Sequence, residues 1–317
     1  MSGWRAGLVG IAVGGVILAT GWFLSRSNGE PGSTAGTASP GAVVEVDESI
    51  VLACAHVLIP ACDSAAEILG VASQRWRPGD PLPEEGVLVA PAAELPAGSD
   101  SPIEVAASPI VLSGWRTRWQ LLERECGAVD PGCLARLLGS SWSSLGGSDS
   151  WGDVKLGLAD PTRSESGLLA WATLAPELGA EGLAGALRLS STDDATLMAE
   201  LVQFGDSRAD VVITTEVAVI GQFRNAIDRG DGRLELAYPA AGPWATYAAV
   251  GNGRGADDLI QRLLSEEIAA RWTAVGLRPV GGLVGQAAEG MGEAGERSAG
   301  PDQTTREELT SVWEDFT

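Results

Sequence analysis

The longest uncharged apolar run of the chain lies at its start, AGLVGIAVGGVILATGWFL over residues 6–24. As a helix rising about 1.5 Å per residue it reaches roughly 28 Å, close to the hydrocarbon thickness of a bilayer. Trp4 and Trp22 stand at its ends, where amphipathic rings prefer the headgroup zone. Arg5 precedes the run and Arg26 follows it, a weak bias toward an inside N-terminus. The pattern predicts a transmembrane anchor over 1–26, single-pass at the cell membrane, with an extracellular body. The alternative, a cleaved secretory signal, exports the same body. Residues 27–47, rich at first in Gly, Ser, Thr and Pro, read as a flexible linker.

Beyond the linker, short apolar runs alternate with stretches of helical period. SIVLACAHVLI (49–59), GVLVAPAAEL (86–95), SPIVLS (108–113), VKLGLAD (154–160), ADVVITT (209–215), RLELAYP (233–239) and TYAAVG (246–251) predict strands. Helices are predicted over 63–70, 115–122, 166–175, 193–204 and 216–227. A further one, over 256–275, carries Leu259, Leu263, Ile268, Trp272 and Val275 on one face. Such alternation implies an α/β class with parallel strands buried under helices. Residues 75–86, RWRPGDPLPEEG, are too rich in turn residues to continue a helix. Residues 281–317 are glycine-dense at first and acidic throughout. They predict a flexible tail with a short terminal helix near 306–316, able to dock through Leu309, Val312, Trp313 and Phe316.

Composition narrows the function. With 317 residues and 45% hydrophobic content the body can bury a large core. A net charge of −21 repels phosphate backbones and excludes nucleic acid as a partner. His56 is the only histidine, so a multi-histidine metal site or a Ser–His–Asp triad has too few parts. No catalytic residue, metal or cofactor is expected. In the weakest reading, an enzyme, His56 or the pair Asp193 and Asp194 would be the bases, although that pair reads more simply as a helix's first turn. Lone histidines after apolar strands are usually structural, and the same holds for His56. The cysteines fall into two close pairs, Cys54 with Cys62 and Cys126 with Cys133. Four cysteines allow three connectivities; spacing favours the local one, with buried free thiols as the alternative.

Three stretches carry a resemblance. VKLGLADPTRSESGLLAWATLA is a strand, an Asp-Pro turn, a Ser/Thr-rich loop and a helix start. RADVVITTEVAVI, followed by LAYPAAGPWATYAAV, is a strand opening onto a second helix, and SEEIAARWTAVGLRP is a helix ending at Gly276. Over about residues 48–280 the chain resembles extracellular solute-binding proteins of the type II periplasmic-binding fold. It is most similar to the molybdate-binding-like branch found beside von Willebrand factor A domains in membrane-anchored actinobacterial proteins. The resemblance implies a bilobed α/β fold, with lobe I over 48–112 and 243–280 and lobe II over 113–242. SPIVLS and the stretch around Tyr238–Tyr247 would be the crossovers, and a small solute would lie in the cleft between lobes.

In such a cleft, strand ends deliver helix amino ends whose free N–H groups hold anionic oxygens. The expected ligand-binding residues are Cys54, Ala55 and His56 at one strand end, and Asp160, Thr162, Ser164, Ser166 and Gly167 at a second. Thr214, Thr215 and Glu216 form the third. Each Ser/Thr set could instead simply cap its helix. The resemblance also departs from the family: the proline-rich 75–86 stretch stands where lobe I normally has a second strand and helix, so that lobe is expected to be trimmed. Glu165 and Glu216, beside the donors, would oppose an oxyanion and favour a neutral or cationic solute or a metal, or would merely cap helices and face solvent. The expected partners are the solute, the membrane through residues 6–24, and a transporter permease or a separate von Willebrand A protein. The alternative function is a degenerate member of the fold serving as an interaction or sensor module.

Overall fold

The computed structural model describes residues 47–99, 101–228 and 233–316. The anchor predicted over 1–26 and nearly all of the linker lie outside these residues. Among the described residues no helix is long and apolar enough to cross a membrane.

The β-branched run at the start of the body is β1 (Asp47–Ala55), which turns through a single 3-10 turn at His56–Leu58 into α1 (Ile59–Leu69). Pro60 sits in the first turn of α1, where its missing N–H costs nothing, and Gly70 closes it in the left-handed conformation. Then come β2 (Val71–Trp76), β3 (Gly86–Pro91) with a 3-10 turn at Ala92–Glu94, and the long β4 (Ile103–Trp115). The next elements are α2 (Arg116–Cys126), α3 (Pro131–Leu137), β5 (Leu156–Ala159) and α4 (Glu165–Ala186), with a break at Gly179. After them lie β6 (Leu187–Ser191), α5 (Asp194–Phe204), β7 (Val211–Thr215), α6 (Glu216–Ile220) and α7 (Phe223–Asp228). The chain then forms β8 (Leu234–Ala237), β9 (Ala241–Asn252), α8 (Ala256–Leu263), α9 (Glu266–Ala274), β10 (Arg278–Pro279), β11 (Glu296–Ser298) and α10 (Gln303–Phe316).

The strand order is β2-β1-β3-β9-β4-β7-β5-β6. Two parallel groups, β2-β1-β3 and β7-β5-β6, flank the antiparallel pair β9 and β4. β4 joins them: Ile103–Pro109 pairs with β9, and Ile110–Gly114 pairs with β7. The central strands β3, β5 and β7 are buried along their whole length, because helices cover both faces. That is why they read as unbroken apolar runs. One large hydrophobic cluster joins α1, α4, α8 and α9 to the sheet, and a smaller one packs Leu197, Met198 and Leu201 of α5 against Val111 and Val212.

Both cysteine pairs close locally, Cys54 with Cys62 and Cys126 with Cys133. The first fastens the end of β1 to α1. The trimmed region is less trimmed than expected. A second strand, β2, is present beside β1, and only its helix is missing among the described residues between β2 and β3. It escaped the sequence reading because its register leaves four of its six residues exposed. The segment expected as a flexible tail ending in a short helix does contain that helix, α10, and also a strand that was not expected, β11. β11 pairs with the start of β9, and α10 lies on α4 with Leu309 and Trp313 buried and Val312 packed beside them.

Candidate functional site

A cleft of about 630 Å³ opens where strand ends from the two halves of the sheet meet. One half supplies Ala55, His56 and Val57 at and just past the end of β1, Arg75–Pro78 at the end of β2, and Pro91 and Glu94 at and just past the end of β3. The other supplies Thr162–Ser164 and Ser166 after β5, and Thr192, Asp193, Asp194 and Thr196 after β6. Tyr247 and Ala245 of β9 also line it. This is the crevice outside the carboxyl ends of strands where α/β sheets take ligands.

The predicted residues divide. Ala55, His56, Thr162, Ser164 and Ser166 line the cleft together. Cys54 is buried in its disulfide, and Asp160 faces its own loop, its Oδ1 accepting from the Thr162 N–H at 2.9 Å and hydroxyl at 2.7 Å. Gly167 serves the fold: a Cβ there would lie 2.4 Å from the Ala159 carbonyl, so the glycine lets α4 approach β5. The third set is drawn away from the cleft. Thr214 is buried, and the Thr215 hydroxyl donates to Asp194 Oδ2 at 2.6 Å. Glu216 is fully buried rather than solvent-facing. It pairs with Arg278 at 2.6 Å and accepts from the Tyr238 hydroxyl at 2.5 Å.

The groups that sequence reasoning missed as cleft-lining are Arg75, Arg77, Glu94, Tyr247 and the acid pair Asp193–Asp194, which had been seen only as a helix start. That helix start is real: Asp193 Oδ1 accepts from the Thr196 N–H at 2.9 Å, and it also lies 3.2 Å from His56 Nδ1. At the floor, the Ser166 hydroxyl donates to Asp194, and Ser164 and Ser166 share a bond at 2.6 Å. Across the cleft, Glu94 Oε1 accepts from the Glu165 N–H at 2.8 Å. Reciprocally, Glu165 Oε2 accepts from the Ala93 N–H at 3.4 Å.

The carboxyls titrate unevenly. Burial pushes Glu94 up to about 7, with Asp194, Glu165 and Asp193 adding repulsion against the pull of the Glu165 N–H. Burial likewise raises Glu165 and the enclosed Asp194. Burial opposes ionisation of Asp193 too, but the Thr196 N–H and His56 overcome it and hold this carboxyl below its usual range. Burial, then the Asp194 charge, carries the Tyr247 phenol well above its usual range. The cleft is therefore a mixed surface, with carboxyls on its floor and the exposed cations Arg75, Arg77 and Arg163 at its rim. Among the described residues no group of His, Cys, Asp and Glu is arranged to hold a metal ion.

No protein-family model matches the chain, and no curated protein matches it in sequence. Solved structures do match in fold. A periplasmic thiamin binding protein is similar at 10% identity and a TM-score of 0.58, over 89% of this chain and 99% of its own. A ferric binding protein from Campylobacter jejuni is similar at 11% and 0.55, over 84% of this chain and 99% of its own. The sulfate-binding protein from Mycobacterium tuberculosis H37Rv is similar at 12% and 0.52, over 84% of this chain and 91% of its own. The body thus has the α/β fold of periplasmic binding proteins, with its curled mixed sheet.

Proposed function

We propose that this chain is an exported solute-binding protein, tethered by residues 6–24, that captures a small polar solute between two lobes. Lobe I would comprise 48–112 and 243–280, and lobe II 113–242, hinged where β4 and the Tyr238–Tyr247 stretch pass between them. The observation that carries this reading is the convergence of five strand ends, three from one half and two from the other, on one 630 Å³ cleft. That volume suits a ligand of metabolite size. The neighbours in fold, which by name bind thiamin, ferric ion and sulfate, support capture without indicating what is captured. The molybdate-like branch, and delivery to a permease or a von Willebrand A protein, are the finer part of the proposal. One observation favours the alternative of an interaction or sensor module: the Ser164, Ser166 and Thr215 hydroxyls are already spent on one another and on Asp194.

A thermal-shift screen of the full chain in detergent tests the choice. It would cover amino acids, amines, sugars, metals and oxyanions. A captured solute at a hundred times its Kd raises the melting temperature by roughly 5 °C. Asp193→Asn and Arg75→Ala should shrink that rise. Silence across the screen favours the interaction module.

A further inference from the structure

In a cleft built to hold an oxyanion, the amino ends of the facing helices are left open for the ligand. Here the chain supplies its own anions. The first N–H of α4 is taken by Glu94, which reaches it from the opposite half of the sheet, and the Gly167 N–H turns back to Ser164 Oγ at 3.4 Å. The first turn of α5 is taken by Asp193, whose Oδ1 accepts from Thr196. The hydroxyls that would complete an oxyanion cradle donate inward to Asp194. Asp193 and Asp194 belong to the loop and helix they cap. Glu94 reaches across the cleft, from a short 3-10 turn after β3, to the N–H at the amino end of α4, where a ligand oxygen would sit.

Resting on the reading of this cleft as a solute site, we infer that Glu94 is its specificity determinant. It fills the amino end of α4 in place of an anionic ligand and so restricts the solute to neutral or cationic compounds. An oxyanion seated at the amino end of α4 would have to displace this carboxylate, with Asp193 and Asp194 on the same floor. A cationic or hydroxyl-bearing solute would meet three carboxyl groups without displacing any.

Titration calorimetry of the full chain in detergent with sulfate and with inorganic phosphate, at matched ionic strength, tests this. The wild type should take up neither anion below millimolar concentration. Glu94→Ala, which empties the amino end of α4, should bind at least one of them about tenfold more tightly or better. Glu94→Gln keeps an acceptor for the Glu165 N–H but removes the charge, and should fall between. It also guards against a fold defect in the alanine variant. The inference is overturned if wild type binds these anions as well as Glu94→Ala does, or if both well-folded variants gain nothing. A gain in the variants alongside a wild type silent toward every solute would sustain the role of Glu94 and sink solute capture.

Discussion

Glu94 ionises at about 7 where an unburied glutamate ionises at 4.5, and this has a thermodynamic consequence. Between those values the folded chain holds a proton that the unfolded chain has released. The contribution of this group to stability is therefore complete below pH 4.5 and is lost as pH rises through 7. Glu165 and Asp194, also raised by burial, act in the same direction. Urea midpoints should fall between pH 5 and pH 8, by a free energy on the order of 2 kcal/mol for Glu94 after discounting for its partial exposure. Glu94→Gln should flatten that slope, and an unchanged slope would assign it to other groups. The sequence showed Ala55, His56, Thr162, Ser164 and Ser166 because a strand, a turn and a helix start place them at a strand end whatever the remainder of the fold does. It gave no sign of Glu94, since an acid in a Pro-Ala-Ala-Glu-Leu turn looks like any solvated acid until another segment buries it.

Elements were legible where their period was strong and illegible where their partners were distant. β1, β3, β7 and α5 follow from their own patterns. β2 does not, because its exposed alternation becomes a strand only beside β1. α10 is intermediate. Its apolar stripe was visible, but its seat was not. Trp313 is buried and meets Trp171 of α4 edge to face, with ring centroids 5.2 Å apart. Arg306 lies 3.6 Å from Glu165 at the start of the same helix. Trp313→Ala should destabilise the body by about 3–5 kcal/mol, read as a lowered denaturation midpoint. A loosely attached tail would leave that midpoint where it is.

At the scale of the whole molecule, the two halves of the sheet are tied by groups outside the cleft lining as well as across the cleft. Arg278 of β10 binds the buried Glu216 at the start of α6 and the Gly292 carbonyl, while the Gly292 N–H donates to the Tyr238 hydroxyl. Arg278→Met alone would strand a buried carboxylate and should cost about 3–5 kcal/mol in chemical denaturation. Pairing it with Glu216→Leu should recover most of that loss, whereas two independent costs that simply add would show that the groups do not act as one.

By itself, the sequence determined what is local. Turn chemistry and apolar period settled the α/β class and most strands and helices, and close cysteine spacing favoured the local disulfide pairing that the structure shows, because each depends on neighbours within a few residues. Tertiary structure alone decided which strand ends share a cleft and which donors within it remain free. Glu94 and Glu165 are far apart along the chain, as are Glu216 and Arg278. Burial and charge pairing depend on what the folded backbone brings alongside, which no local pattern encodes.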